Sequence, residues 1–137
     1  MSGRCLRGAV TGGHVAGAHA CHCLMCQRWS GALHATFEAD PNAVTVRGPV
    51  TRYASTQWSE RAFCGTCGSH LWMRDTDDLA AVYELLPGLS KGAAAFPLIS
   101  EIYTDRRPAY LPLSGEHRTK TRSEYERDNS AIEGDDP

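Results

Sequence analysis

The chain has 137 residues, of which 42% are hydrophobic and 22% charged, as in a globular domain rather than a disordered segment. Its formal net charge of −2 lacks the basic excess that neutralises nucleic-acid phosphates, so we expect no nucleic-acid partner. No run approaches the roughly 20 apolar residues of a membrane-spanning helix, and the N-terminus shows no apolar signal region. We therefore expect a cytoplasmic protein without a membrane partner.

Short apolar segments separated by turn residues predict a mostly β chain with at most short helices. In chain order, the predicted strands are residues 4–11, 16–22, 33–39, 43–46, 50–54, 58–63, 70–74, 79–86 and 98–103. The Gly-Pro pair at 48–49 predicts a hairpin between the two strands that flank it.

The composition changes near residue 114. Residues 114–137 contain four Lys or Arg and seven Asp or Glu, a net charge of −3, and few large apolar side chains. We therefore expect a single domain at residues 1–113 and a charged C-terminal tail at 114–137, partly disordered at the terminus. The alternative is a short helix around residues 120–127 that docks on the body or on a second subunit. In the second case the protein would be a homodimer.

Three of the six cysteines, Cys21, Cys23 and Cys26, lie within six residues. Disulfides are disfavoured, because no signal peptide is visible and three such close thiols cannot all pair among themselves. A Cys-x-Cys-x-x-Cys segment can wrap one metal ion from a single loop, and thiolates suit zinc. Three protein ligands leave one tetrahedral position open, as in catalytic zinc sites. A structural zinc with a fourth ligand from elsewhere is the alternative.

Polar neighbours of this cluster are candidate helpers. Arg28 lies two residues past the last thiol and can offset the charge of three thiolates or hold an anionic substrate; a surface role is the alternative. His22 is expected to orient the loop or face solvent rather than to relay a proton. Ser30 is expected to cap a short helix after the cluster.

A second cysteine pair, Cys64 and Cys67, is followed by glycine, as in half-sites for structural zinc. Such a half-site needs two more ligands. Cys5 is the one cysteine left, and Arg7 stands where a Cys-x-Cys partner would be; arginine cannot ligate a metal. His70 is a remote candidate for the missing ligand. The first cluster lacks iron–sulfur spacing, and a redox role for the pair would need a βαβ context.

Four motifs occur together along the chain. They are a Gly-x-Cys strand at residues 3–10, Cys-x-Cys-x-x-Cys leading to Ser-Gly-Ala at 21–32, Phe-Cys-x-x-Cys-Gly-Ser at 63–72, and a closing strand and turn at 101–110. In these motifs the sequence resembles the glutathione-dependent formaldehyde-activating enzyme and centromere protein V family. The resemblance covers about residues 3–112.

The resemblance implies a β-tent of small antiparallel sheets pinned by zinc. It also implies a carbon–sulfur lyase or synthase that joins glutathione to formaldehyde or a related aldehyde, with a glutathione-type thiol as the partner. The implied catalytic zinc lies on Cys21, Cys23 and Cys26, with Arg28 nearby, and a structural zinc lies on Cys5, Cys64 and Cys67. A zinc-stabilised binding module without catalysis is the alternative, illustrated by the centromere branch.

Two residues depart from the family pattern. Arg7 occupies the fourth structural ligand position, so we expect the outer zinc site to be weak or empty. Glu101 stands where the family often has a histidine before its last strand, and its role is not assigned by the sequence.

Overall fold

A computed structural model describes residues 2–4, 9–11 and 17–129. The chain divides into two compact units: a first unit of Met1–Gly17 with Thr36–Phe96, and a second unit of Ala18–Ala35 with Pro97–Pro137. Cys5 and Arg7 lie outside the described residues. The expectations placed on them therefore stay predictions.

The mostly β class is confirmed, with eleven strands and two short α-helices in the described residues. The strands are β1 (Ser2–Arg4), β2 (Ala9–Thr11), β3 (Ala18–Cys21), β4 (His34–Ala39), β5 (Thr45–Arg47), β6 (Val50–Ala54), β7 (Ser59–Cys64), β8 (His70–Asp75), β9 (Tyr83–Leu85), β10 (Leu98–Ile102) and β11 (Arg118–Lys120). The helices are α1 (Leu24–Ser30) and α2 (Arg122–Asp128). Within the part of the chain that the structure describes, neither is long and apolar enough to cross a membrane.

The first unit contains an antiparallel sheet in the order β4-β9-β8-β7-β6. Phe37, Trp72 and Leu85 belong to its core. The register between β7 and β8 shifts at Ala62/Phe63, so that Leu71 has no direct partner. This irregularity lets the consecutive residues Leu71 and Trp72 both reach the core.

The hairpin predicted at residues 48–49 is wrong. Strand β5 pairs with β2 in a three-stranded sheet, β1-β2-β5, whereas β6 pairs with β7. The carbonyl of Pro49 accepts a hydrogen bond from the Gly65 N–H at 3.0 Å, which extends the pairing of β6 with β7. The turn residues therefore direct the two strands into different sheets.

In the second unit the sheet order is β11-β10-β3. Strand β10 pairs in parallel with both neighbours, unlike the antiparallel sheets that the resemblance implies. Parallel strands need a connection of about a dozen residues or more, and the segments from β3 to β10 and from β10 to β11 are both long enough.

Helix α2 lies in the segment that we expected to be a charged tail with a docking helix as the alternative. A capping box between Thr121 and Glu124 starts it. The Arg122 backbone N–H donates to the Asp105 carboxylate at 2.7 Å, and the Tyr103 hydroxyl donates to Glu126 at 3.2 Å. These contacts attach α2 to the turn that follows β10.

Candidate metal centre

The three clustered thiols converge in the second unit. Cys21 ends β3, Cys23 is the N-terminal cap of α1, and Cys26 lies in the first turn of α1. Their three sulfur atoms all lie within 4.8 Å of one another. We expected a single loop to carry the cluster, whereas a strand end and a helix start carry it.

Local backbone geometry explains why the helix begins there. Cys23 has an extended backbone (φ −60°, ψ 155°), and its Sγ accepts a hydrogen bond from the Cys26 N–H at 3.4 Å. Gly31 ends α1 in the left-handed conformation, at φ 85°, which favours glycine. The expected capping role of Ser30 is therefore wrong: Ser30 is the last residue of α1, and its Oγ lies 2.7 Å from His34 Nδ1.

The thiol cluster fits a soft cation. A tetrahedral zinc with about 2.3 Å bonds separates its sulfur ligands by about 3.8 Å, which agrees with the observed convergence. Hydrogen bonds with Cys23 and Cys26, followed by burial, raise the pKa of the Cys21 thiol well above its usual value. Three such crowded thiols lose their protons together only when a cation compensates the charge, as a bound metal does.

The cluster has three members and forms no disulfide. In residues 17–129, Cys21, Cys23 and Cys26 form the one group of three or more His, Cys, Asp or Glu residues placed to hold a metal ion. None of the five cysteines in that range is disulfide-bonded, so the disulfide alternative is wrong for them. The cluster can thus hold a metal ion.

His22 connects this cluster to a buried polar network. The His22 side chain is fully buried, and its Nε2 lies 2.7 Å from Glu101 Oε1. Arg107 donates to the same oxygen at 2.9 Å, and His117 Nε2 lies 2.7 Å from Glu101 Oε2. His22 therefore faces the protein interior, which agrees with the expected orienting role and not with exposure to solvent.

The charge of Glu101 follows from these partners. Burial alone would raise its pKa, but hydrogen bonds from His117, Arg107 and His22 outweigh burial and lower the pKa. Because the ionised carboxylate can only accept, both imidazoles present Nε2–H to it. This assignment of the imidazole protons follows from the hydrogen-bond network.

Gln27 fixes the backbone of the same segment. Its side-chain amide donates to the carbonyl of His22 at 2.6 Å and to that of Arg106 at 2.8 Å. In addition, the His22 N–H donates to the Ile102 carbonyl at 3.1 Å. The residue between the first two thiols is thus held by both its backbone groups and its side chain.

The other predicted site residues are placed differently. Arg28 is exposed on α1, the helix that carries Cys26. Cys64 and Cys67 lie in the first unit, where Cys67 Sγ is 3.2 Å from Ser69 Oγ. Neither they nor His70 belong to a group of three metal-binding residues within 17–129. Since Cys5 lies outside the described residues, the outer zinc site stays a prediction.

Sequence reasoning missed Arg107, His117 and Tyr103. Arg107 and His117 hold Glu101, whereas Tyr103 is buried with a left-handed backbone at φ 56°. Burial, followed by the charge of Glu126, raises the pKa of the Tyr103 hydroxyl. His117 gave no local signal, because it lies in a polar segment that resembled a solvated tail.

Comparisons with known proteins agree with the site. The family model of the glutathione-dependent formaldehyde-activating enzyme matches residues 1–106. An uncharacterized lyase of Schizosaccharomyces pombe is 28% identical over 89 residues, and the match spans 64% of this chain and 64% of that relative. A crystal structure of a Rhodobacter sphaeroides protein is similar with a TM-score of 0.57 and 22% identity, covering 72% of this chain and 99% of that one.

The similarity to the solved structure shows that the two chains share a fold. The match to the family model shows, in addition, that this chain is a member of the family. The match to the family model extends over well more than half of the chain and includes all six cysteines. The chain belongs to the glutathione-dependent formaldehyde-activating enzyme family.

Proposed function

We propose that this protein is a zinc-dependent carbon–sulfur lyase or synthase that acts on glutathione-type thiol adducts of formaldehyde or a related aldehyde. One observation carries the proposal: three convergent thiols form a metal-binding group without a fourth His, Cys, Asp or Glu among the described residues. Family membership and the lyase name of the S. pombe relative support the reaction class.

In the synthase direction, the sulfur of the thiol substrate attacks the carbonyl carbon and forms a C–S bond. The carbonyl electron pair moves to oxygen, which takes up the proton that the thiol has lost, giving a hydroxymethyl thioether. The lyase direction reverses these changes. A zinc ion held by Cys21, Cys23 and Cys26 supplies Lewis acidity, which favours the thiolate form of a thiol near neutral pH.

The side chains of the chain bind and orient. The thiolates of Cys21, Cys23 and Cys26 are the proposed metal ligands, and Arg28 is proposed to bind a carboxylate of the thiol substrate. His22 has its Nε2 held by Glu101 and is fully buried, so we assign it to orientation rather than to proton transfer with solvent. Thiols add to formaldehyde readily, so positioning can suffice without a dedicated general base.

The test is a glutathione titration of the cobalt-substituted protein. We expect millimolar glutathione to change the cobalt absorption spectrum, because a fourth sulfur joins the three protein sulfurs. S-methylglutathione has the same carboxylates without a free thiol and is the matched control that leaves the spectrum unchanged. A cobalt absorption spectrum that does not change when glutathione is added would support the binding-module alternative and contradict the proposed reaction.

The proposed role of Arg28 has its own variants. Replacing Arg28 by Ala should weaken glutathione binding by about tenfold, since a charge-assisted hydrogen bond is lost. Arg47→Ala removes an exposed arginine from β5 in the first unit and should leave the dissociation constant unchanged. Equal effects of the two variants would show a general charge effect rather than a carboxylate contact.

A further inference from the structure

We infer that Glu101 is a positioning residue for the thiol cluster, which it holds in place through the side chain of His22. Arg107 and His117 in turn hold the Glu101 carboxylate. This inference rests on the proposed metal centre but not on the identity of the thiol substrate.

The first step is the geometry of the contact. The Glu101 side chain is 1% exposed, and that of His22 is 0% exposed. Strand β10 places Glu101 opposite Ala20 of β3, two residues before His22 in the chain. The 2.7 Å separation between His22 Nε2 and Glu101 Oε1 is that of a strong, charge-assisted hydrogen bond.

The second step is the link from His22 to the sulfurs. His22 is the one residue between Cys21 and Cys23, so a rotation of its backbone moves both ligands. Gln27 and Ile102 hydrogen-bond to the carbonyl and the N–H of His22, respectively, whereas Glu101 hydrogen-bonds to its imidazole. His22 Nδ1 has no hydrogen-bond partner within the described residues, so Nε2 and Glu101 provide the polar anchor of the ring there.

The third step is the support of Glu101 itself. Its Oε1 accepts from both His22 and Arg107, and its Oε2 accepts from His117. The guanidinium of Arg107, on a side chain that is 36% exposed, compensates the charge of the carboxylate, as burial of a charge requires. Arg107 and His117 both follow residue 106, where the match to the family model ends.

The experiment measures metal release from the zinc-loaded full-length protein into an excess of a coloured chelator. We expect Glu101→Gln to accelerate release about tenfold, the usual scale for outer partners of metal sites. His117→Gln should accelerate it less, because Arg107 remains. In a His22→Ala background, Glu101→Gln should add little further effect, since the path through His22 is already broken.

Glu60→Gln is the matched control. Glu60 also accepts two side-chain hydrogen bonds, from Arg52 and from Trp72, but it lies in the first unit. Equal release rates for wild type and Glu101→Gln, or full additivity with His22→Ala, would overturn the inference and leave the proposed function intact. A wild-type chain that binds no metal would overturn the proposed centre, and the inference with it.

Where Glu101→Gln folds poorly, His117→Gln provides the second measurement. It keeps the carboxylate and its cationic partner Arg107, so the His22 contact is weakened rather than lost. Thermal unfolding of the metal-free variants separates the two roles. A merely structural role would lower stability in the metal-free state and leave the release rate at the wild-type value.

Discussion

Both units contain cysteines close in sequence and a glutamate whose pKa is shifted, but they arrange these groups differently. In the second unit, the thiols of Cys21 and Cys23 flank His22, which bonds to Glu101. In the first unit, Cys64 is part of the apolar core, and Cys67 lies three residues on, past a tight turn. In the second unit, a hydrogen bond thus links the Glu101 carboxylate to the residue between two thiols. In the first unit, Cys64 is part of the apolar core instead.

The pKa values of these two carboxyl groups shift in opposite directions. Three donors hold Glu101 ionised, as its lowered pKa shows. Burial, followed by the charges of Asp75 and Glu38, raises the pKa of Glu84 to about 7, and Arg61 offsets this only in part. Glu38 is the direct cross-strand partner of Glu84. Burial alone therefore does not decide the charge of a carboxyl group; the donors around it do.

The largest expected effect separates ligand from fold at Cys23. Cys23→Ser should abolish metal binding at the cluster and lower activity by at least about 100-fold, because a serine hydroxyl does not ionise near neutral pH and is a poor zinc ligand. Serine is a good helix cap, so α1 should persist. Metal analysis, activity and circular dichroism measure these three outcomes.

Cys23→Ala is the partner variant. It should lose metal as Cys23→Ser does, and in addition lower the free energy of unfolding of the metal-free chain by about 1 kcal/mol through loss of the cap. A Cys23→Ser protein that retains its metal at wild-type affinity would contradict the three-thiol centre. Equal stability of the two variants would contradict only the capping role.

The next effect concerns the raised pKa of Glu84. Between its unfolded value near 4.5 and about 7, the folded state binds more protons than the unfolded state. The free energy of unfolding therefore falls as pH rises through this window. We expect a decrease of roughly 2 kcal/mol, since the half-buried carboxyl keeps part of its solvation.

Urea unfolding between pH 4.5 and 8 measures this dependence, with Glu84→Gln as the comparison. The glutamine variant should lose the Glu84 part of the slope, so the difference between the two proteins isolates this carboxyl. Parallel stability curves for both proteins would show that Glu84 does not retain its proton in the folded state.

Local patterns predicted most strands, because alternation and turn residues are local signals. They placed a short helix after the cysteine cluster, whereas α1 begins within the cluster, with a cysteine cap in place of the usual polar cap. The parallel pairing of β10 was missed, since no local pattern records which distant strand lies beside another. Which strands pair with β10 is therefore known only from the structure.

Part of the candidate site could likewise be predicted from the sequence, and part could not. The spacing of Cys21, Cys23 and Cys26 predicted the cluster, because three ligands within six residues converge in almost any compact conformation. The Glu101 network could not be predicted, since His22 and Glu101 are 79 residues apart and His117 lies in a polar segment. Tertiary contacts between such distant residues leave no periodic trace in a single sequence.

The smallest expected effect tests the contrast between the two thiol groups at Arg7. Cys64 and Cys67 have no third His, Cys, Asp or Glu partner in a metal-binding group within residues 17–129, and Cys5 would bring the set to three. Arg7 cannot ligate a metal, and its positive charge opposes a bound cation. We therefore expect about one tightly held metal per chain, at the Cys21–Cys26 cluster, and Arg7→Cys should raise this toward two by completing a four-thiolate site.

Arg7→Ser distinguishes the two causes, since it removes the positive charge without adding a thiolate. If the missing ligand dominates, Arg7→Ser should stay near one metal per chain after dialysis, and only Arg7→Cys should gain a second. The second metal should also raise the melting temperature, because a ligand that binds only the folded state stabilises it. Two tightly held metals in the unmodified protein would contradict the prediction and point to a fourth ligand from outside the described residues.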